Sequence, residues 1–249
     1  MKNVLLHGVN GRMGQILTSL IAADPELTLV AGVDVRPGQN LAFPVYEKLS
    51  DCREQVDVVI DFSVPRAVPG LIEYCVEKKL PLVLCTTGLE EEHLHLIDEA
   101  AKKIPLLQSA NMSLGINLLL KLLKENSAML AKAGYDIELV ERHHRNKTDA
   151  PSGTAMSLAA AANTGLNYPY RYCRQGDESV RPSEEIGISC VRGGSIVGEH
   201  EICYLGSDEI VSFHHGAYSR AVFGKGALAA AKFLADQAAG RYTMADVLA

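Results

Sequence analysis

Asn3-Val4-Leu5-Leu6-His7-Gly8-Val9-Asn10-Gly11-Arg12-Met13-Gly14 decides how the rest of the chain is read. An apolar run, Asn3–His7, passes directly into a glycine-rich turn. Helical periodicity follows over Met13–Ala23, and Asp24-Pro25 stops it. Glycines there let the backbone turn tightly and approach a pyrophosphate, and the helix N-terminus supplies N–H groups and partial positive charge. The spacing is G-x-x-G-x-x-G rather than G-x-G-x-x-G, so on this motif alone an ordinary turn between strand and helix is the alternative. The next strand strengthens the nucleotide reading. Leu27–Asp34 is a near-continuous apolar run that ends in an acid 20 residues after Gly14. A carboxylate at that place would hold the adenosine ribose hydroxyls. Arg36, two residues on, would face a 2′-phosphate. Asp34 argues for NADH and Arg36 for NADPH, which predicts mixed preference.

Working outward, strand and helix patterns alternate. Val56–Phe62, Leu80–Cys85 and Ile104–Gln108 read as strands, with helices over Ala67–Lys79 and about Glu91–Lys103 between them. Continuous apolar strands alternating with helices imply a parallel, doubly wound sheet with both faces covered. Ligands on such sheets bind beyond the carboxyl ends of the strands. The turns Thr86-Thr87-Gly88 and Ala110-Asn111-Met112-Ser113 are therefore placed to touch the nicotinamide half of a dinucleotide, with ordinary turn chemistry as the alternative.

The character changes after about Ser109. A long apolar helix, Leu114–Leu130, leads to a strand, Asp136–Glu141, a polar loop and an Ala-rich helix, Thr154–Asn163. An irregular stretch near 165–185 precedes strands Ile186–Val191, Ser195–Leu205 and Ile210–His215, read as antiparallel hairpins. A last Ala-rich helix covers Gly224–Ala239. The expected fold is α/β: an N-terminal Rossmann-like domain, 1–112 and 220–249, plus a smaller α+β domain, 113–219.

The 249 residues carry a formal net charge of -6. Binding to nucleic acid is not expected, because phosphate contacts need a surplus of Lys and Arg on one face. No apolar run approaches the ~20 residues that span a bilayer, and the first residues read as a buried strand rather than a signal peptide. Cys52, Cys75, Cys85, Cys173, Cys190 and Cys203 form no C-x-x-C pair, which points to reduced thiols in a cytoplasm.

The densest polar constellation is Glu141-Arg142-His143-His144-Arg145-Asn146-Lys147-Thr148-Asp149-Ala150-Pro151-Ser152-Gly153-Thr154. Histidines, arginines and a lysine crowd together in an otherwise acidic chain. Such a cluster attracts a small dianion and supplies proton donors near neutral pH. Pro151-Ser152-Gly153-Thr154 has the form of a helix start, whose free N–H groups and Thr154 hydroxyl would bind a carboxylate. A solvated basic loop is the plainer alternative. His200, His214 and His215 read as structural strand residues, and His7 as packing against the glycine loop. No metal site is expected, since adjacent His143 and His144 rarely turn both rings to one ion. Cys85 at a strand end is a poor nucleophile, having no sequence neighbour to lower its pKa.

These residues resemble one family over nearly the whole chain, the 4-hydroxy-tetrahydrodipicolinate reductases, also called dihydrodipicolinate reductases. The most specific part is E-x-H-H-R-x-K-x-D-A-P-S-G-T at Glu141–Thr154. The glycine loop, Thr86-Thr87-Gly88, Arg192-Gly193-Gly194 and Val197-Gly198-Glu199-His200 also match. The resemblance implies that His143 is the acid/base and Lys147 a proton donor. It implies substrate contacts from His144, Lys147, Ser152, Gly153, Thr154 and Arg220. It implies that NADH or NADPH is held by Gly8, Val9, Asn10, Gly11, Arg12, Met13, Gly14, Asp34, Arg36, Cys85, Thr86, Thr87, Ala110, Asn111, Met112 and Ser113. The family usually has Gly where Cys85 stands, and Gly or Ala where His7 stands. The implied substrate is a cyclic imine dicarboxylate of lysine and diaminopimelate biosynthesis, and the implied assembly a homotetramer. Two other readings remain: a homoserine- or semialdehyde-type dehydrogenase, and a regulator that senses NAD(H) without turnover. The loop at 141–154 discriminates, because a sensor needs no proton donors beside a dianion site.

Overall fold

The computed structural model describes residues 1–36, 42–176 and 180–248. In chain order the first elements are β1 (Lys2–His7), α1 (Arg12–Ala22), β2 (Leu27–Val33), β3 (Val45–Tyr46), β4 (Val58–Asp61), α2 (Val68–Lys78), β5 (Leu82–Leu84), α3 (Glu91–Ala101) and β6 (Pro105–Gln108). Then come α4 (Leu114–Lys132), β7 (Asp136–His143), α5 (Gly153–Ala162), β8 (Tyr170–Tyr172), β9 (Ile186–Arg192), β10 (Gly198–Leu205) and β11 (Ile210–Ala217). The tail holds α6 (Ala221–Leu234), β12 (Gly240–Tyr242) and α7 (Met244–Val247). Backbone contacts divide the chain into two units, Met1–Leu114 with Arg220–Ala249, and Gly115–Ser219.

In the first unit seven parallel strands run in the order β12-β6-β5-β4-β1-β2-β3. The apolar strand sequences follow from burial on both faces. Val4 and Leu6 pack with Leu17 and Ile21 of α1 and with Ala227 and Ala231 of α6. Leu5, between them, points the other way, to Leu71 of α2 and Ile97 of α3. All three are fully buried, and truncating one such leucine to alanine costs ~2–5 kcal/mol. At Gly226 of α6 an added Cβ would stand 1.6 Å from the Met112 carbonyl oxygen, so the helix lies directly on that loop. Chain order reverses at β1, which pairs with β2 on one side and β4 on the other. Ligands of doubly wound sheets bind outside the carboxyl ends at such a point. Here those ends are His7 and Asp61, which are cross-strand neighbours.

The second unit corrects the expected hairpin pattern. Its sheet runs β11-β10-β7-β9-β8 and is mixed. β10 is antiparallel to β7 and β11, whereas β9 is parallel to both β7 and β8. Ile116, Leu119 and Leu123 of α4 and Leu158 and Ala159 of α5 cover one face, against Ile137, Leu139, Ile188, Ile202 and Tyr204. β8 falls in the stretch expected to be irregular, α6 ends at Leu234 rather than at Ala239, and β12 adds a strand beyond the expected helix. β7 runs two residues beyond Glu141. Its inner positions alternate strictly, so Ile137, Leu139, Glu141 and His143 share the buried face. The polar letters of Arg142-His143 conceal a strand that still pairs with both neighbours.

Among the described residues no helix is long and apolar enough to cross a membrane.

Candidate active site

The first unit builds a nucleotide cradle at the switch point. Gly8 has φ +82°, and an added Cβ would stand 2.6 Å from the Phe62 carbonyl oxygen. At Gly14 a Cβ would stand 2.2 Å from the Val9 carbonyl oxygen, so α1 approaches its own loop as only glycine permits. Gly11 is the N-cap of α1 and offers no side chain, which leaves the first-turn N–H groups facing outward without a side-chain acceptor. Both oxygens of Asp34 receive backbone N–H groups, from Asn10 at 3.0 Å and Arg36 at 3.1 Å. Asp34 thus ties the glycine loop to the end of β2. The Asn10 side-chain oxygen is buried without a partner among the described residues. A cavity of ≈ 340 Å³ opens beside this loop, lined by His7, Gly8, Gly11, Asp34, Ser63 and Arg66 among others. These features fit a dinucleotide: a tight backbone cradle, a helix N-terminus and an acid at the end of β2.

The other expected cofactor residues divide by exposure. Arg12, Ala110, Thr87 and Arg36 are exposed, and Asn111 and Met13 are half-buried. Val9, Cys85, Thr86, Met112 and Ser113 are buried. Met112 and Val9 belong to the core, and Val9 packs onto Gly32. Burial, reinforced by the nearby Asp61 carboxylate, pushes the Cys85 thiol well above its ordinary range, which excludes it as a nucleophile near neutral pH. The Thr86 hydroxyl turns inward and donates to Asp61 at 2.5 Å. Among the described residues lining the cavity the cation is Arg66, which the motifs did not point to.

In the second unit the centre is Glu141, which is fully buried. Arg192 grips it with two hydrogen bonds, Nη2 to Oε1 at 2.6 Å and Nη1 to Oε2 at 2.8 Å. The backbone N–H of Ser152 donates to Oε1 at 3.1 Å, and His143 Nδ1 bonds Oε2 at 2.5 Å. Burial alone would raise the Glu141 pKa, but the hydrogen bonds from Arg192 and His143 outweigh it and hold the carboxyl down to about 2. Glu141 is therefore a permanent anion near neutral pH. It takes the His143 proton on Nδ1 as its hydrogen bond and leaves Nε2 for chemistry. Burial pushes His143 below the ordinary imidazole value, with Glu141 opposing. At Gly198 an added Cβ would stand 3.0 Å from His143 Nε2, so this glycine makes room for the ring.

The sheet register assembles this group. His143 on β7 lies opposite Arg192 on β9, and Glu141 lies opposite His200 on β10. His200 packs edge-on to His143, with ring centroids 5.2 Å apart, and its Nε2 meets the Ser152 hydroxyl at 3.1 Å. Burial, with His143 adding to it, pushes His200 down to about 4, so it is neutral. Its Nδ1 is buried without a partner among the described residues. His200 is thus a neighbour of the candidate acid/base, a position the strand pattern alone did not reveal.

The loop beyond β7 presents the remaining cations. Lys147 Nζ lies 2.8 Å from Asp149 Oδ1, and that pairing, against a smaller effect of burial, holds Asp149 below the ordinary carboxylate value. The other Asp149 oxygen accepts the Gly153 N–H at 3.3 Å. His144 and Thr154 are half-buried, and Gly153 is exposed at the first position of α5. Nothing lies within 4 Å of where a Gly153 Cβ would stand. Ser152 corrects the expectation of a substrate contact: its hydroxyl is buried, caps α5 by accepting from Ala155 and meets His200. Arg220 belongs to the first unit, exposed at the N-cap of α6. Among the described residues no group of His, Cys, Asp and Glu could hold a metal ion.

Comparison with known proteins adds the chemical family. Residues 2–112 match the family model described as dihydrodipicolinate reductase, N-terminus, and residues 115–248 match dihydrodipicolinate reductase, C-terminus. The chain is 48% identical over its full length to 98% of a 4-hydroxy-tetrahydrodipicolinate reductase of Caldanaerobacter subterraneus subsp. tengcongensis. It is 47% identical, over 98% of its length and 96% of the relative, to the enzyme of the same name from Clostridium tetani. In fold it is similar to a dipicolinate-bound dihydrodipicolinate reductase from Paenisporosarcina sp. TG-14, with TM-score 0.84, 22% identity and complete coverage of both chains. With both units matched and relatives nearly half identical along the whole length, the chain belongs to the dihydrodipicolinate reductase family.

Proposed function

We propose that this chain reduces 4-hydroxy-tetrahydrodipicolinate to tetrahydrodipicolinate in the lysine and diaminopimelate pathway, with NADH or NADPH as hydride donor. The observation that carries the reading is the Arg192–Glu141–His143 chain with Lys147 and the start of α5 following on the same loop. It combines an oriented proton carrier with a site for a small dianion. A sensor of NAD(H) has no use for the first, and a semialdehyde dehydrogenase would need a reactive thiol that buried Cys85 does not supply.

The first unit is the dinucleotide domain, with Gly8–Gly14 and Asp34 as the principal holding residues. When bound, the nicotinamide supplies a hydride. Everything else falls to side chains of the second unit. His144, Lys147 and the N–H groups at Gly153 and Thr154 hold the two carboxylates. Lys147 exchanges Asp149 for a substrate carboxylate, which places a cation against it. A dianion beside His143 favours the imidazolium, so proton uptake accompanies binding. Glu141 cannot take that proton, because its carboxyl is held at about 2. The substrate loses its 4-hydroxyl as water, and one hydride and one proton are then added across the ring. The proton reaches the enamine-like carbon from His143 or Lys147, which lowers the barrier where charge develops.

The second unit also serves assembly. Strand β11 lies at an edge of its sheet, with Ile210 67% exposed. This supports a homotetramer, to be tested by light scattering. Six free cysteines support a cytoplasmic setting. The activity itself is tested by following NADH and NADPH oxidation on addition of freshly formed 4-hydroxy-tetrahydrodipicolinate. Oxidation with that substrate and none with aspartate semialdehyde is expected; the reverse pattern would overturn the reading.

A further inference from the structure

His7 is a buried histidine that the proposed chemistry does not use. It ends β1, and its Nδ1 lies 2.7 Å from Asp61 Oδ1 at the end of β4. Asp61 is fully buried, and its other oxygen receives the Thr86 hydroxyl at 2.5 Å. Thr86 Oγ1 in turn accepts the Ser63 N–H at 3.2 Å. The network joins the carboxyl ends of three interior strands, β1, β4 and β5. In the neutral imidazole the Asp61 carboxylate selects the tautomer with its proton on Nδ1, and Nε2 then carries a lone pair. No hydrogen bond to Nε2 exists among the described residues, and the ring lines the ≈ 340 Å³ cavity together with Gly8, Gly11 and Asp34.

We propose that His7 is a cofactor-contacting residue, whose Nε2 accepts a hydrogen bond from the adenosine ribose 2′-hydroxyl, with Asp61 fixing the tautomer that makes it an acceptor. The cavity wall then holds two acceptors, Asp34 and His7, for the two free ribose hydroxyls of NADH. NADPH carries a phosphate on one of those hydroxyls and offers a single donor there. A 2′-phosphate has no proton to give His7 near neutral pH and relies on a cation such as Arg66, which lines the same cavity. His7 therefore weights the site towards NADH, whereas Arg66 weights it towards NADPH. The inference rests on the dinucleotide reading of the first unit.

The test is calorimetric titration of NADH and NADPH, separately, into the native protein and into His7→Asn. Asparagine places an amide N–H where Nδ1 stands, so Asp61 stays satisfied, but it puts no atom at Nε2. The dissociation constant for NADH is expected to rise about 3–10-fold, the worth of one hydrogen bond, and that for NADPH less than twofold. An equal rise for both cofactors, as a purely structural role would give, overturns the proposal. So does no change, or a larger loss for NADPH. Asp61→Asn provides the second variant, for use also if His7→Asn does not fold. Thr86 retains the amide oxygen, the amide N–H turns to His7 Nδ1, and the ring proton moves to Nε2, making it a donor. The preference should then shift towards NADPH; an unshifted ratio overturns the proposal. Failure of the native protein to bind either cofactor would instead overturn the dinucleotide reading, and this inference with it.

Discussion

Replacing Glu141 by glutamine removes one charge from a fully buried site and changes little in shape. Two consequences can be worked from the geometry. Arg192 loses the anion that its two N–H groups grip at 2.6 and 2.8 Å, and His143 loses the anion that orients Nδ1. The carboxyl titrates at about 2 in the fold against an ordinary value of 4.5. At 1.36 kcal/mol per unit this linkage contributes about 3 kcal/mol of stability near neutral pH. Because the folded value is the lower one, the contribution is complete above about 4.5 and is lost as pH falls towards about 2. Urea denaturation of native protein and Glu141→Gln should therefore differ by about 3 kcal/mol at pH 7, with the gap narrowing steadily below pH 4.5. The variant should also lose about 10²-fold or more in kcat, because a misoriented proton carrier forfeits most of its effect. Dissociation constants for NADH and NADPH should stay unchanged. A stability gap of the same size at pH 7 and pH 3, or a kcat within twofold of native, would refute the reasoning.

Gly198→Ala tests positioning by crowding instead of charge. Its Cβ would stand 3.0 Å from His143 Nε2, so kcat should fall at least ~10-fold while thermal stability changes little. Native-like turnover would show that the ring moves freely. Gly153→Val tests the dianion site. The protein leaves the space at that Cβ open, so the variant should fold normally but lose competitive inhibition by pyridine-2,6-dicarboxylate about 10-fold or more. Unaltered competition would place the carboxylates elsewhere.

The parallel sheet was legible because its signal is local. Apolar runs such as Leu27–Val33 and turns such as Gly8–Gly14 carry their meaning within a dozen residues. Short edge strands escaped, since Val45–Tyr46 and Gly240–Tyr242 are too brief to show a period. In the second unit, pairing is non-local. Nothing in the spacing of Glu141, Arg192 and His200 says that β9 lies parallel to β7 while β10 runs antiparallel on its other side. That arrangement alone brings the guanidinium and the second imidazole to the buried carboxylate. The loop at 141–154 was legible as a charged cluster, yet which members face inward depends on the alternation of β7, which was read as ending too early. Ser152 illustrates the same limit: its place in a substrate motif did not show that its hydroxyl is committed to Ala155 and His200.

The claim on which the mechanism depends is that His143, held by Glu141, moves a proton during reduction. Steady-state kinetics of His143→Gln across pH 5–9, with NADH affinity measured alongside, test it most directly. A fall in kcat of about 10²–10⁴-fold is expected, with loss of the limb due to an imidazole and NADH affinity unchanged. Near-native kcat over the whole range, or a loss confined to KM, would contradict it and leave the loop as a binding surface alone.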